Sequence, residues 1–209
     1  MTGLPSRFST LVRRAGATRD PTPLGDALIA AWSEPGRHYH DVRHLEDCLT
    51  QLDDLEVDRA TRDILEMALW FHDAVYEPRA TDNEERSARW AAEGLAAAGV
   101  PTAAVMQVVR LVRLTHAHGP ASDEAGRLMC DIDLSILGRP AEVFDEYERR
   151  IRAEYAWVPE VAFRHGRTRI LEGLLQRVSL FQTETFRRRF ESSARSNLHR
   201  ALAALAGRR

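Results

Sequence analysis

The chain has little cysteine and no long apolar run. Its two cysteines, Cys48 and Cys130, are too few and too far apart for a disulfide framework or a thiolate zinc site, so we expect two buried thiols in a reducing compartment. No segment approaches the roughly 18 apolar residues that a membrane helix requires, and the N-terminal segment lacks the apolar stretch of a secretion signal. These absences predict a cytoplasmic protein that does not contact a membrane.

Lysine is absent, so all 29 basic residues are arginines, set against 31 acidic residues for a formal net charge of -2. This balance does not indicate a nucleic-acid partner. The guanidinium group suits carboxylate and phosphate ligands, but a bias of genome composition explains the missing lysine more simply. With 44% hydrophobic residues among 209, the composition is typical of a globular protein, and we expect a single domain over residues 1–209.

Alternating apolar and polar runs, which are typical of strands, are scarce. Apolar residues instead recur at three- and four-residue spacings, which predicts an all-α fold, a single-domain helical bundle. Prolines and glycines mark several of the breaks between helical segments. We predict helices over residues 6–15, 24–32, 40–55, 59–71, 83–98, 102–115, 141–157, 159–178 and 184–206.

Most of the histidines fall in three short segments of the chain. His40 and His44 are four residues apart, so on a helix they share one face and look into one cavity. His72 and Asp73 follow the apolar run 67–71, at the end of a helix that we expect to be buried. Polar groups at such a position need partners, because burying them unpaired is unfavourable.

Two further carboxylates, Asp131 and Asp133, lie between core-type apolar segments. Each feature alone has a simpler interpretation, since His40 and His44 could form a polar helix face and the two aspartates could cap a helix. Together, buried imidazoles and carboxylates suit a divalent cation, and one ion offsets all the carboxylates at once. The candidate ions are manganese, cobalt, iron, nickel, zinc and magnesium.

Five segments carry a resemblance to a known family. They are RHYHDVRHLEDCL from Arg37, WFHDAVYEP from Trp70, DNEERSA from Asp82, LTHAH from Leu114 and CDIDLSILG from Cys130. Their order and spacing resemble the HD-domain superfamily of metal-dependent phosphohydrolases, in particular a bacterial branch of predicted phosphohydrolases. Two later stretches, IRAEYAWVP from Ile151 and FRHGRTRILEGLLQR from Phe163, are similar to the same branch, so the resemblance covers most of residues 37–180. It implies an HD-type helical core, with the N- and C-terminal helices packed on it.

The resemblance also implies roles for individual residues. It assigns four residues as metal ligands, which are His44, His72, Asp73 and Asp133. Asp131 is the alternative to Asp133, because both lie in the tract that resembles the family's last ligand segment. Asp73 belongs to the catalytic set as well. Glu84 resembles a family position near the site, where it either orients water or serves as a favourable carboxylate at a helix start.

A proton donor follows from the same resemblance. Tyr39 and His40 match a Tyr-His pair in related phosphodiesterases, where the histidine protonates the leaving group. Asp41 stands where those enzymes have an asparagine, and a negative charge so close raises the pKa of a histidine.

Four residues are candidates for substrate binding, which are His118, Arg152, Tyr155 and Arg167. His118 fits the family pattern better than His116, either as a contact to a second ion or to phosphate, or as a structural histidine. The arginines supply counter-charge for a phosphate, although arginines at helical spacing also occur on solvated faces.

These observations favour a metal-dependent phosphohydrolase acting on a small phosphorylated substrate, a nucleotide or another metabolite, through a metal-activated water. The alternatives are a non-catalytic nucleotide- or metal-binding regulatory module, and a structural metal protein with a closed coordination shell. The helical surface is compatible with a monomer or a homodimer.

Overall fold

The computed structural model describes residues 3–207, and within that range it contains helices and no strand. The α-helices, in chain order, are α1 (Leu4–Arg14), α2 (Thr22–Trp32), α3 (Val42–Asp53), α4 (Arg59–Phe71), α5 (Asn83–Ala97), α6 (Thr102–Leu114), α7 (Glu124–Asp133), α8 (Ala141–Glu154), α9 (Glu160–Leu175) and α10 (Glu184–Gly207). A 3-10 helix, Leu134–Gly138, continues directly from α7. The predicted all-α class is confirmed.

Helix α4 lies at the centre of the bundle. Its last five residues, 67–71, are completely buried, because α1, α3, α5, α6 and α7 pack around this helix. The run is apolar on every side, as a helix without a solvated face must be. Because α4 ends inside the core, the residues that follow it, His72 and Asp73, lie in the interior of the molecule.

Carboxylates define where three of the helices begin. Asp41, Asp58 and Asp123 each accept a hydrogen bond from a backbone N–H in the first turn of α3, α4 and α7. Helix α3 therefore begins at Val42 and not at residue 40 as predicted. His40 lies in the turn before α3, so the two histidines His40 and His44 do not share a helix.

The sequence prediction missed α7 and the 3-10 helix after it. Helix α7 has only ten residues and includes Gly126, so its local helical signal is weak. It forms because Leu128, Met129 and Ile132 are buried in the core, which outweighs the low propensity of the segment. Helices α8 and α9 also end earlier than predicted, at Glu154 and Leu175 rather than at 157 and 178.

Apolar side chains contributed by helices from α1 to α10 form a continuous core. Both cysteines are free and buried, as expected. Between residues 3 and 207, no helix combines the length and the apolar character needed to cross a membrane.

Candidate metal centre and its cleft

Three helices bring four side chains together at the inner end of a cleft. His44 lies on α3, His72 and Asp73 directly follow α4, and Asp133 is the last residue of α7. His72 is completely buried and His44 nearly so, whereas the two aspartates are partly accessible. We call these four residues the candidate metal centre.

The ligand atoms of the candidate metal centre are closely spaced. Nε2 of His44 lies 3.2 Å from Nε2 of His72 and 3.1 Å from Oδ1 of Asp133. Nε2 of His72 lies 3.6 Å from the same Asp133 oxygen. Oδ2 of Asp73 is 3.4 Å from Nε2 of His72 and 3.8 Å from Nε2 of His44. Side chains from three separate parts of the chain thus place their ligand atoms around one common position.

These residues fit a divalent cation. Nδ1 of His72 lies 2.8 Å from the carbonyl oxygen of Leu69 and donates to it, so Nε2 is the ring nitrogen that faces the centre and can bind a cation. Ligand atoms at about 2.0–2.2 Å from a first-row ion are separated from each other by roughly 3.0–3.5 Å. The spacings in the candidate metal centre are close to this range.

Cys48 is a further potential ligand, which the sequence analysis treated only as a buried thiol. Its Sγ lies 3.8 Å from both ring nitrogens of His44, one helical turn earlier on α3. Ligand atoms of His44, Cys48, His72 and Asp133 all lie within 4.8 Å of one another, a group that could hold a metal ion. Burial, together with the charge of Asp133, raises the pKa of the Cys48 thiol well above its usual value. The spacing of four residues between His44 and Cys48 was the signal in the sequence.

Charges within the candidate metal centre perturb one another. Burial opposes the charged form of His72, but the carboxylates of Asp73 and Asp133 outweigh it and raise the pKa of His72 to about 9. Burial also opposes the Asp133 carboxylate, yet the charge of His72 and hydrogen bonds with His118 and His44 hold the pKa of Asp133 well below its usual range. The paired carboxylates therefore favour a positive charge between them, which a protonated imidazole or a cation supplies.

His40 is held by a buried glutamate that the sequence analysis did not identify. Nδ1 of His40 lies 2.6 Å from Oε2 of Glu154, at the end of α8. The other oxygen of Glu154 accepts hydrogen bonds from the backbone N–H groups of His38, Tyr39 and His40. Burial raises the pKa of Glu154, but these hydrogen bonds and the charge of His40 outweigh it and lower the pKa to about 2. The carboxylate is therefore ionised and accepts the proton on Nδ1.

Two arginines fix the turn that carries His40. Arg37 donates to the carbonyl oxygens of His40 and Asp73, at 3.1 and 2.6 Å, and so ties this turn to the end of α4. Arg150 donates to the carbonyl oxygen of His38 and to the carboxylate of Asp41. The backbone around His40 is thus bound to both α4 and α8.

The candidate metal centre opens into a cleft of about 700 Å³. The four tyrosines of the chain, Tyr39, Tyr76, Tyr147 and Tyr155, all line it. The ring of His40 stacks on Tyr76 with a centroid separation of 4.0 Å, and the hydroxyl groups of Tyr76 and Tyr155 are 3.3 Å apart. Tyr155, one of the predicted substrate-binding residues, therefore lies on the wall of the cleft.

The predicted residues His118 and Glu84 also reach the cleft, although each already has a partner. Nε2 of His118 lies 2.7 Å from Oδ2 of Asp133, on the side away from the metal-facing oxygen. His118 has a positive φ of 47°, a backbone conformation that few residues other than glycine adopt. The contact with Asp133 holds the His118 side chain in place. Oε2 of Glu84 lies 3.1 Å from Nδ1 of His116.

The predicted arginines have different surroundings. Arg167 lies on the cleft, but it donates to the hydroxyl of Tyr147 and pairs with Glu148. Arg152 does not line the cleft, because its guanidinium pairs with Glu160 and donates to backbone carbonyl oxygens in the turn between α8 and α9. The prediction of Arg152 as a phosphate contact is therefore not supported by its position.

Another arginine, which was not among the predicted residues, is better placed. Arg169 lines the cleft, is exposed, and forms no ion pair or side-chain hydrogen bond with any residue of 3–207. Arg177 also lines the cleft, but it donates to the backbone carbonyl oxygens of Ala117 and His118. Arg169 is thus a cationic group of the cleft whose charge remains available to a ligand.

Asp131, the alternative metal ligand, lies outside the candidate metal centre. Its two carboxylate oxygens accept hydrogen bonds, each at 2.7 Å, from the backbone N–H groups of Gln182 and Thr183, and the Thr183 hydroxyl donates a third. These residues immediately precede α10, so Asp131 anchors the start of that helix. Of the two aspartates, only Asp133 faces His44 and His72.

No family model, curated protein or solved structure matches this chain.

Proposed function

We propose that this protein is a metal-dependent phosphohydrolase of the HD-domain type, which hydrolyses a phosphate ester or anhydride of a nucleotide or another small phosphorylated metabolite. One observation carries the proposal: the candidate metal centre lies at the inner end of an open cleft whose wall includes the imidazole of His40. A ligand set of two imidazoles and two carboxylates suits manganese, cobalt, iron, nickel, zinc or magnesium.

In this proposal, His44, His72, Asp73 and Asp133 hold the ion. A bound divalent ion supplies a Lewis acid that polarises a phosphoryl oxygen and lowers the pKa of water toward about 7. The chain's contribution is to orient the ligands. The carbonyl oxygen of Leu69 fixes the ring of His72, and His118 holds the outer oxygen of Asp133.

His40 donates the proton to the leaving group. Burial by itself lowers the pKa of His40. The hydrogen bond with Glu154 and the charge of Asp73 outweigh the effect of burial, so the pKa of His40 is raised. In hydrolysis a water oxygen forms a new bond to phosphorus, and the bond between phosphorus and the leaving oxygen breaks. His40 gives its proton to that leaving oxygen.

The cleft also offers groups that recognise a phosphate. Arg169 is the principal candidate, because its charge is not neutralised within residues 3–207. Arg167 contributes less charge, since Glu148 already pairs with it. Glu84, with His116 beside it, lies where a carboxylate can orient water or a substrate hydroxyl.

Elemental analysis combined with phosphate-release assays tests the proposal. Purified protein is assayed with mono-, di-, tri- and cyclic nucleotides and simple phosphate esters, with manganese, cobalt, magnesium or a chelator added. We expect bound metal and chelator-sensitive release of phosphate. The variants His72→Ala and Asp133→Ala are expected to lose metal and activity together, because each removes a central ligand.

The matched control is His199→Ala, because His199 is an exposed histidine of α10. It is expected to keep both metal and activity. A fully active His72→Ala protein, or phosphate release that a chelator leaves unchanged, contradicts the proposal.

A second candidate function is a non-catalytic module that binds metal or a nucleotide. One observation favours it: Cys48 could complete a four-residue shell with His44, His72 and Asp133. Such a closed shell is typical of structural rather than catalytic sites. Bound metal with a thiolate ligand and no turnover of any phosphate supports this alternative.

A further inference from the structure

A second cavity adjoins the cleft, between α8 and α9. It has a volume of about 320 Å³. Much of its wall is apolar, formed by Ile151, Val158, Ala162, Phe163, Gly166 and Ile170. We call this cavity the side chamber.

The side chamber shares part of its lining with the cleft. His40, Tyr147, Tyr155, Arg167 and Ile170 line both cavities. A molecule that extends from the candidate metal centre into the side chamber therefore passes His40. In the proposed reaction, His40 protonates the oxygen between phosphorus and the leaving group.

The lining of the side chamber favours an apolar ligand. None of its lining residues within 3–207 is an aspartate, glutamate, asparagine or glutamine, the side chains that match the hydrogen-bonding edge of a base. The polar groups at its mouth are already engaged, since Tyr147 accepts a hydrogen bond from Arg167 and His40 donates to Glu154. Ile170 is 56% exposed, so it is an apolar side chain that a ligand can cover.

We infer that the side chamber binds an apolar or aromatic leaving group, so that the substrate is a small phosphate monoester of an apolar alcohol or a phenol. This inference rests on the proposed function and narrows its substrate class. The phosphoryl group lies toward the candidate metal centre and Arg169. The bond to be broken lies beside His40, and the leaving oxygen departs as the hydroxyl of the alcohol after receiving the proton of His40.

Gly166 offers a way to fill the side chamber without disturbing the fold. It lies within α9, and a Cβ atom built there has no neighbour within 4 Å. Leucine also forms helices more readily than glycine, so Gly166→Leu is expected to fold. The control is Gly207→Leu, because Gly207 is a helical glycine of α10 with the same open space around it.

Binding of two phosphonates tests the inference without requiring turnover. Benzylphosphonate and methylphosphonate carry the same anionic group, and only the first has a ring to bury. Their affinities are measured by calorimetry in the presence of manganese. We expect benzylphosphonate to bind about tenfold more tightly to the wild-type protein, because its apolar ring leaves water. Gly166→Leu is expected to abolish this preference with no change in methylphosphonate binding, and Gly207→Leu is expected to retain it.

The outcomes separate this inference from the function on which it rests. Equal affinity of the two phosphonates, or an unchanged preference in Gly166→Leu, overturns the side chamber as an apolar subsite and leaves the phosphate site intact. Failure of both phosphonates to bind the wild-type protein overturns the phosphate site itself, and the inference with it.

Discussion

The carboxylate of Glu154 lies 2.6 Å from Nδ1 of His40, and its side chain is completely buried. It joins the end of α8 to the turn before α3, two segments that are far apart in the chain. Because the carboxylate accepts the Nδ1 proton, it sets the orientation and tautomer of the ring and favours its protonated form. Glu154 is therefore a positioning residue for the proposed proton donor.

Replacing Glu154 by glutamine removes the charge and keeps the shape. Burial lowers the pKa of His40, and the hydrogen bond with Glu154 is the largest effect that raises it. The pKa of His40 is thus expected to fall in Glu154→Gln, so that the protonated ring is lost at a lower pH. We expect the alkaline limb of the pH–rate profile to shift to lower pH and kcat at neutral pH to decrease by roughly tenfold. Metal content is expected to be unchanged.

The control for this variant is Glu172→Gln, at an exposed position of α9. It is expected to leave the pH–rate profile unchanged. A Glu154→Gln protein with the wild-type profile is evidence against a role of Glu154 in positioning His40.

The same carboxylate makes stability depend on pH in acid. Hydrogen bonds lower the pKa of Glu154 from 4.5 to about 2, despite its burial. A carboxyl group whose pKa is lower in the folded state than in the unfolded state stabilises the fold. This contribution is complete above the unfolded-state pKa of 4.5 and is lost as the pH falls toward 2. We expect Glu154→Gln to lower the free energy of unfolding by about 3 kcal/mol at pH 7. We expect urea titrations at several pH values to show that the difference in the free energy of unfolding between the wild-type protein and Glu154→Gln narrows below pH 4.5. A difference that does not change with pH contradicts this prediction.

Asp73 and Cys48 are the two candidates for a fourth ligand in the proposed metal site. The proposed function requires Asp73 as a metal ligand. Loss of a residue that only hydrogen-bonds a ligand weakens metal binding by roughly 10–100-fold, so Asp73→Asn, which alters a ligand itself, is expected to weaken it by more. Cys48→Ser is expected to leave the affinity nearly unchanged. Absorption spectra of the cobalt-loaded protein provide a second measurement. A thiolate-to-cobalt charge-transfer band that disappears in Cys48→Ser identifies Cys48 as a ligand and favours the closed, structural shell.

The proposed role of Arg169 in binding phosphate predicts a specific kinetic effect. Its guanidinium forms no ion pair within residues 3–207, so a substrate phosphate gains a charge-assisted hydrogen bond there. Arg169→Ala is expected to raise KM by about tenfold and to leave metal content unchanged. Arg188→Ala is the control, since Arg188 lies on the exposed surface of α10 and pairs with Glu184. Equal KM values for the two variants argue against this role.

The fold and part of the site could be predicted from the sequence because their signals are local. Each predicted helical range overlaps a helix within residues 3–207, since three- and four-residue apolar spacing reflects burial directly. His72 and Asp133 stood out as polar residues beside apolar core-type segments, and His44 stood out because it lies in a cluster of histidines. Glu154 did not, because a single glutamate in an amphipathic helix has no local feature that indicates burial. Arg169 likewise has no local feature that indicates its place on the cleft.

Asp131 and Asp133 provide the sharpest test of the site, because they are two residues apart and chemically identical. Asp131 accepts hydrogen bonds from the backbone N–H groups of Gln182 and Thr183, whereas Asp133 faces His44 and His72. Asp131→Asn loses an ionised acceptor at the start of α10, so we expect unfolding to become easier by about 2 kcal/mol, with metal content and activity retained. Asp133→Asn is expected to lose metal and activity. Thermal unfolding and elemental analysis of both variants distinguish the two roles, and loss of metal from folded Asp131→Asn protein identifies Asp131 as the ligand instead.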